Sequence, residues 1–317
     1  MLDGLKAIPR RYPVFILLGL LLLMAAVVTP QILSPENILT AIRQYSVVGI
    51  MALGVTFVVI AGRVDVSIGS LMSVLVVVVI SLHDKVGAEL AMLAGIGVGL
   101  VVGATNGFLV AYVRLNSLIV TLGMMTALQG VAQVATAGIL NQVADPEGSW
   151  FKVIGRSFLF GVPVSVWIFA GLALICGLVL RRTHFGRSVR AVGGNETGSI
   201  YSSINSRATI FVTFLIASFL TAIAAIVFAS YAMAAPHNSG SGLEMTVLAS
   251  IFLGGTSIGG GVGGMGRTVI GIVVLALLNN GMILVGMPIQ AQWLISCFII
   301  ITAVMLDTYS RRGTIFA

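Results

Sequence analysis

Apolar runs of about 20 residues, the length that a helix needs to cross a bilayer, recur along the whole of this 317-residue chain. Only 9% of the residues are charged, whereas a soluble domain carries roughly a quarter. The sequence therefore predicts an all-α fold, a polytopic membrane protein that forms one transmembrane domain over 1–317. About ten spans are expected, at about 14–33, 44–62, 66–83, 88–113, 117–139, 163–180, 208–234, 246–261, 267–287 and 289–307.

The distribution of basic residues predicts how these helices are oriented. With the amino terminus in the cytoplasm, all but four of the 17 Lys and Arg residues fall in inside segments. The positive-inside rule thus predicts a bacterial inner-membrane protein with both termini cytoplasmic, a periplasmic loop at about 140–162 and a cytoplasmic loop at about 181–207. The net charge of +7 is assigned to this topology, and no nucleic-acid partner is expected.

Several kinds of chemistry have no support in the sequence. None of the three lysines lies in a G-x-x-x-x-G-K-[ST] phosphate loop, so ATP is not expected to bind to this chain in that way. No predicted span carries an ionisable residue near its middle, which argues against proton-coupled transport and against an intramembrane enzyme. Catalytic residues, cofactors and metal sites are not expected. An ion-gradient-driven secondary carrier, with sodium bound by backbone carbonyls, remains an alternative, as does a scaffold or channel.

Uncharged polar residues occur inside the spans. Thr126, Gln129, Gln133 and Thr136 are spaced to share one face of a helix. Other spans contain Asn106, Asn279 and Asn280. These side chains either line a pathway for a neutral polar solute or form hydrogen bonds between neighbouring helices.

Glycines form two patterns. One repeats at every fourth position of the fourth span, as Gly95, Gly99, Gly103 and Gly107, and predicts close helix packing or a subunit contact. The other is too dense for a straight helix and predicts a broken or re-entrant backbone, close to a solute site or gate. Its members are Gly254, Gly255, Gly259, Gly260, Gly261, Gly263, Gly264 and Gly266.

Two of the predicted connections carry helix-capping signals. Asp65, at the start of the third span, is predicted to be an N-cap carboxylate with Arg63 as a neighbour. In the cytoplasmic loop, Gly193 and Gly194 form a turn before the cap residue Asn195 and the acidic Glu196. A short helix from about 197 to 204 is expected there, as a surface for a soluble partner.

Four stretches together resemble the permease subunit of bacterial ABC importers of the ribose, xylose and autoinducer-2 type, a branch of the binding-protein-dependent permeases for branched-chain amino acids and monosaccharides. They are AGRVDVSIGS (61–70), NSLIVTLGMM (116–125), THFGRSVRAVGGNE (183–196) and LGGTSIGGGVGGMGRTVIGIVVLALLNNGM (253–282). The sequence departs from the family pattern at Arg63, where glycine is usual, and at Ser117, where proline is usual.

This resemblance implies a function and partners. The chain would translocate a neutral monosaccharide, meaning a ribose-like pentose, a hexose or a related polyol. Two permease subunits, the second being another copy or a paralogue, would surround one pathway in the lipid bilayer. A cytoplasmic ATPase subunit would bind ATP and Mg, and a periplasmic protein would bind the sugar. The loop around Arg187, Gly193, Gly194, Asn195 and Glu196 would dock on the ATPase as a coupling helix.

Overall fold

The computed structural model describes residues 34–288, together with 290–291, 294–295, 297–298 and 301. The predicted span at 14–33 lies outside the described residues, as does much of the span predicted at 289–307. Within the described residues, seven helices are long and apolar enough to cross a membrane. They are α1 (Pro35–Ile60), α2 (Ile68–Val86), α3 (Ala88–Ala111), α4 (Ser117–Thr136), α6 (Val164–Arg182), α9 (Ser206–Ala232) and α11 (Met265–Leu284).

Short elements connect these helices. The short helices are α5 (Lys152–Arg156), α7 (His184–Gly194), α8 (Glu196–Tyr201) and α10 (Leu243–Leu253). Four two-residue strands form two antiparallel pairs, β1 (Asn141–Gln142) with β4 (Ala234–Ala235), and β2 (Phe158–Leu159) with β3 (Val162–Pro163). The chain is therefore a mostly helical, polytopic membrane protein with very little strand.

Seven of the predicted spans overlap the long helices, although α1 begins nine residues before the predicted 44. The span predicted at 246–261 does not match a long helix. The helix found there, α10, has only 11 residues and ends at Leu253. Non-helical backbone follows until α11, and Gly255, Gly260 and Gly261 adopt positive φ within it. Such angles are readily reached by glycine, which explains why the helix stops where the glycines begin.

The helices differ greatly in burial. In α1, 78% of the most apolar window is buried, and α2 and α9 are similarly central, at 72% and 67%. For α4 and α6 the values are only 17% and 22%. Helices α1, α2 and α9 therefore form the core of the chain. Helices α4 and α6 present most of their surface to the surroundings of the chain.

The glycine repeat of α3 packs against the neighbouring helices. A Cβ atom at Gly103 would lie 2.5 Å from Ser218 Oγ and 3.0 Å from Phe214 O, both on α9. Gly99 and Gly107 face the same helix, while Gly95 faces Val79 of α2. The predicted packing role is confirmed, because the missing side chains allow the backbones of α3 and α9 to approach closely.

The loop before α6 is attached to α1 by an arginine. The Arg43 guanidinium donates hydrogen bonds to the carbonyl oxygens of Gly155 and Arg156, at 2.9 and 3.0 Å. It also lies over the rings of Tyr231 and Phe158, with Cζ 4.9 and 5.2 Å from the ring centroids. The start of α6 and the end of α9 thus lie at one end of the bundle. Helices α7 and α8 lie at the opposite end.

Candidate coupling and pathway site

The connection between α6 and α9 folds into two short helices rather than the single one predicted. Thr183 caps α7, because its Oγ1 accepts a hydrogen bond from Gly186 N at 3.2 Å. Helix α7 buries one face, formed by Gly186, Val189 and Val192. Arg187 lies on the exposed side, with Nη2 2.8 Å from His184 Nδ1.

The predicted Asn195 cap is confirmed. Its Oδ1 accepts a hydrogen bond from Gly198 N at 2.8 Å and begins α8. The next residue, Glu196, forms an ion pair with Arg63, with 2.5 Å between the carboxylate oxygen and the guanidinium nitrogen. Arg63 was expected beside Asp65, but the fold turns its side chain to α8 instead.

Glycines form a close junction between this pair of helices and the core. A Cβ atom at Gly193 would overlap the carbonyl oxygen of Ile60 and lie 2.7 Å from Gly261 N. Gly261 N itself donates a hydrogen bond to Ile60 O at 2.8 Å. A Cβ atom at Gly260 would lie 2.7 Å from both Gly193 O and Gly62 Cα. These five residues, Ile60, Gly62, Gly193, Gly260 and Gly261, are called the glycine junction below.

The other glycines of the predicted set lie elsewhere. Gly194 is exposed, and a Cβ atom there would meet nothing within 4 Å. Gly254 packs against the backbone of Arg267 at the start of α11. Gly255 occupies a turn with φ +82°, where a Cβ atom would again meet open space. Of Gly254, Gly255 and Gly260, only Gly260 is part of the glycine junction.

The connection between α1 and α2 is a non-helical segment held by side chains, and its residues 65–67 are buried. Asp65 is almost fully buried, and its Oδ1 accepts hydrogen bonds from Ser67 N and Ser67 Oγ, at 2.9 and 2.6 Å. The N-cap position of α2 is Ser67, so Asp65 lies two residues before the position predicted for it. It nevertheless accepts a backbone N–H bond, as predicted.

Asn106 of α3 contacts this segment. It is fully buried on α3, and its Nδ2 donates to Ser67 Oγ at 3.0 Å. Two backbone groups of the segment donate to α4, Val64 N to Ser117 Oγ at 3.2 Å and Val66 N to Thr121 Oγ1 at 3.3 Å. Irregular backbone can lie between membrane helices only when its polar groups find such partners.

The predicted pathway residues lie on three different helices. Thr126, Gln129 and Gln133 are exposed along α4, whereas Thr136 is buried and its hydroxyl donates to Ala132 O. On α11, Asn279 donates a hydrogen bond to the Tyr45 hydroxyl of α1, so it joins two helices. Its neighbour Asn280 is partly buried. The structure therefore does not gather the predicted pathway residues into one cluster within a single chain.

Sequence reasoning missed two features of this site. Ile200 and Tyr201 of α8 are exposed, Tyr201 by 86%, and an apolar pair in the middle of a polar loop was the available signal. The hydroxyls of Thr56 on α1 and Thr268 on α11 lie 2.9 Å apart in the core. Their separation along the chain left no signal in the sequence.

Comparison with known proteins agrees with the resemblance found in the sequence. The ribose import permease protein RbsC of Escherichia coli (strain K12) is 35% identical over 299 residues, which cover 92% of each chain. RbsC of Bacillus subtilis (strain 168) is 32% identical over 295 residues, covering 92% of this chain and 91% of the relative. The L-arabinose transport system permease protein AraH of Escherichia coli (strain K12) is 29% identical over 306 residues, covering 96% and 92%.

No solved structure gives a significant match. The family described as branched-chain amino acid transport system / permease component matches residues 37–304, most of the chain. That description is of a transport protein and not of an enzyme. The chain has helices of membrane-spanning length, and RbsC matches it over 92% of both chains. The chain therefore belongs to this family of transport-system permease components.

Proposed function

We propose that this chain is the membrane-spanning permease subunit of an ATP-driven importer that carries a neutral monosaccharide across the bacterial inner membrane. A ribose-like pentose is the first choice of substrate. The observation that carries this proposal is the end-to-end identity with the ribose import permease RbsC, at 35% over 92% of both chains. The L-arabinose permease AraH, also matched over most of its length, supports a pentose.

The proposed orientation places both termini and the α7–α8 pair in the cytoplasm. It is supported by the arginines at this end, since the last turn of α6 contains Arg181 and Arg182 and α7 contains Arg187 and Arg190. The loop at 140–162 then faces the periplasm, where a sugar-binding protein would deliver the substrate. The proposal retains about ten crossings: the seven long described helices, the predicted spans at 14–33 and 289–307, and the stretch 243–264, where the short α10 is followed by non-helical backbone.

The proposed energy source is a separate cytoplasmic ATPase, which would bind ATP and Mg. The α7–α8 pair supports this contact, because α8 exposes Ile200 and Tyr201 and the preceding helix α7 exposes Arg187. Exposed aromatic and arginine side chains are enriched at protein interfaces. Gly193 holds the end of α7 close to the core, and Asn195 caps the start of α8.

We also propose that the pathway forms between two permease subunits. Support comes from α4, which is the least buried of the seven long described helices and exposes uncharged polar side chains. Such groups are costly against lipid but suit a route for a neutral sugar. The non-helical stretch with Gly254, Gly255 and Gly260 would act as a gate beside this route.

The pathway proposal predicts the effect of removing both amides. We expect the double substitution Gln129→Leu and Gln133→Leu to lower ribose uptake about tenfold, because two hydrogen-bonding groups in the route are lost. Uptake by vesicles that contain the complete importer is the measurement. Val134→Leu, an apolar exchange at an exposed position of the same helix, is the control and should transport normally. Normal uptake by the double variant would exclude these amides from the route.

The energy source is tested by reconstitution. Vesicles containing this chain, its ATPase and its binding protein should accumulate ribose only when ATP is present on the ATPase side. An ionophore should leave this uptake unchanged. If this chain alone concentrates ribose under an ion gradient, a secondary carrier is the correct class and the proposal fails.

A further inference from the structure

We infer that Arg63 is a positioning residue that transmits movement of the α7–α8 pair to α4, through the non-helical segment 63–67. This inference rests on the proposed function, since it concerns how an ATPase on α7–α8 would act on the pathway. The route of contacts leads from Glu196 to the polar side chains of α4.

The first contact is the ion pair between Arg63 and Glu196, at 2.5 Å. Both side chains are partly exposed, by 31% and 41%, and exposed ion pairs contribute little to stability. The pair instead joins two segments that are 133 positions apart in the sequence. Arg63 is itself anchored, because its backbone N–H donates to Val58 O at the end of α1. A displaced α8 therefore acts on Arg63, the first residue of the segment 63–67.

The second contact joins the segment to α4. The backbone N–H groups of Val64 and Val66 both reach hydroxyl oxygens of α4. They donate to Ser117 Oγ and Thr121 Oγ1, which are four residues apart and share one face of α4. The segment thus lies along the first turn of α4 and is hydrogen-bonded to it twice.

The third step is the helix itself. Thr121 and Gln129 are on the same continuous helix, so a shift of its first turn moves the amide as well. Only 17% of the apolar window of α4 is buried, which means that few packing contacts within this chain resist the shift. At its other end the segment is held to α3 by the bond from Asn106 to Ser67. The segment is therefore fixed to the core on one side and to a lightly packed helix on the other.

A charge exchange tests the route. We would prepare Arg63→Glu, Glu196→Arg and the double exchange in the complete importer, and measure ribose taken up per ATP hydrolysed. Each single variant should lower this ratio about fivefold to tenfold, as expected for coupled neighbouring residues, and the double exchange should restore it to within about twofold. Co-purification of the ATPase should be unchanged with Arg63→Glu, whose residue lies outside the α7–α8 pair, and a merely structural defect would not allow this.

A second set of variants tests the contact with α4. Ser117→Ala combined with Thr121→Val removes both hydroxyl acceptors and should lower the ratio by a similar factor. Adding Arg63→Glu to this pair should lower it no further, since all three act on one route. Arg114→Glu, a charge reversal at an exposed residue in the connection before α4, is the control and should leave the ratio unchanged.

The outcomes separate the inference from the function beneath it. If the unaltered importer shows no ATP-dependent ribose uptake, the proposed function fails and the inference falls with it. If the unaltered importer transports but the single exchanges keep a normal ratio, the inference alone is wrong. The same holds if the double exchange is no better than the worse single variant.

Discussion

Replacing Gly193 with alanine should strongly impair transport. A Cβ atom there would overlap the carbonyl oxygen of Ile60 and press on Gly261 N, and both are backbone atoms that cannot rotate away. The end of α7 must then move out of the glycine junction, and forced packing of this kind costs about 1–3 kcal/mol. We expect ATP-dependent ribose uptake to fall more than about tenfold, the change that 1.4 kcal/mol produces. Vesicle uptake measured beside ATP hydrolysis checks this.

The matched control is Gly266→Ala. Gly266 lies in the first turn of α11, and a Cβ atom there would meet nothing within 4 Å. This variant should transport like the unaltered chain, because alanine is also a better helix former than glycine. Normal uptake by Gly193→Ala, with normal expression, would show that α7 can leave the junction without effect, and would remove the junction from the coupling mechanism.

Gly103→Leu is expected to give the largest loss of stability. The side chain would enter the contact between α3 and α9, where even a Cβ atom comes within 2.7 Å of Ser218 Cβ. The two helices must separate, at a cost of about 3 kcal/mol, the upper part of the usual range for overpacking. Thermal unfolding of the protein in detergent, compared with the unaltered chain, is the measurement.

Gly97→Leu provides the comparison on the same helix. Gly97 is exposed, and a Cβ atom there would meet nothing within 4 Å, so leucine should be accepted and stability should not fall. An equal loss of stability in both variants would mean that the helix itself, rather than its contact with α9, is sensitive to leucine. The packing explanation of the glycine repeat would then be wrong.

The two glycine experiments report on different properties. Gly103 lies between two long helices of the core, and its effect should appear in unfolding whether or not an ATPase is present. Gly193 lies where a short helix meets the end of α1, and its effect should appear chiefly in transport. A Gly193 variant that unfolds normally but does not transport would support a coupling role most directly.

The sequence by itself determined those features that depend on neighbouring residues or on the bilayer. Apolar length predicted seven of the long helices, because a helix is the only open-ended structure that satisfies its own backbone in lipid. The cap of α8 at Asn195 followed from local hydrogen bonding, and the repeat around Gly103 from the period of a helix. The family followed from motifs spread over most of the chain.

Only the tertiary structure decided how distant residues meet. The pairing of Arg63 with Glu196 and the contact of Gly193 with Ile60 join parts of the chain that are more than a hundred positions apart. It also decided which polar residues are buried, as Asn106 is, and which are exposed, as Gln129 is. Helix period fixes which residues share a face but not what that face meets, since this depends on how separate helices pack.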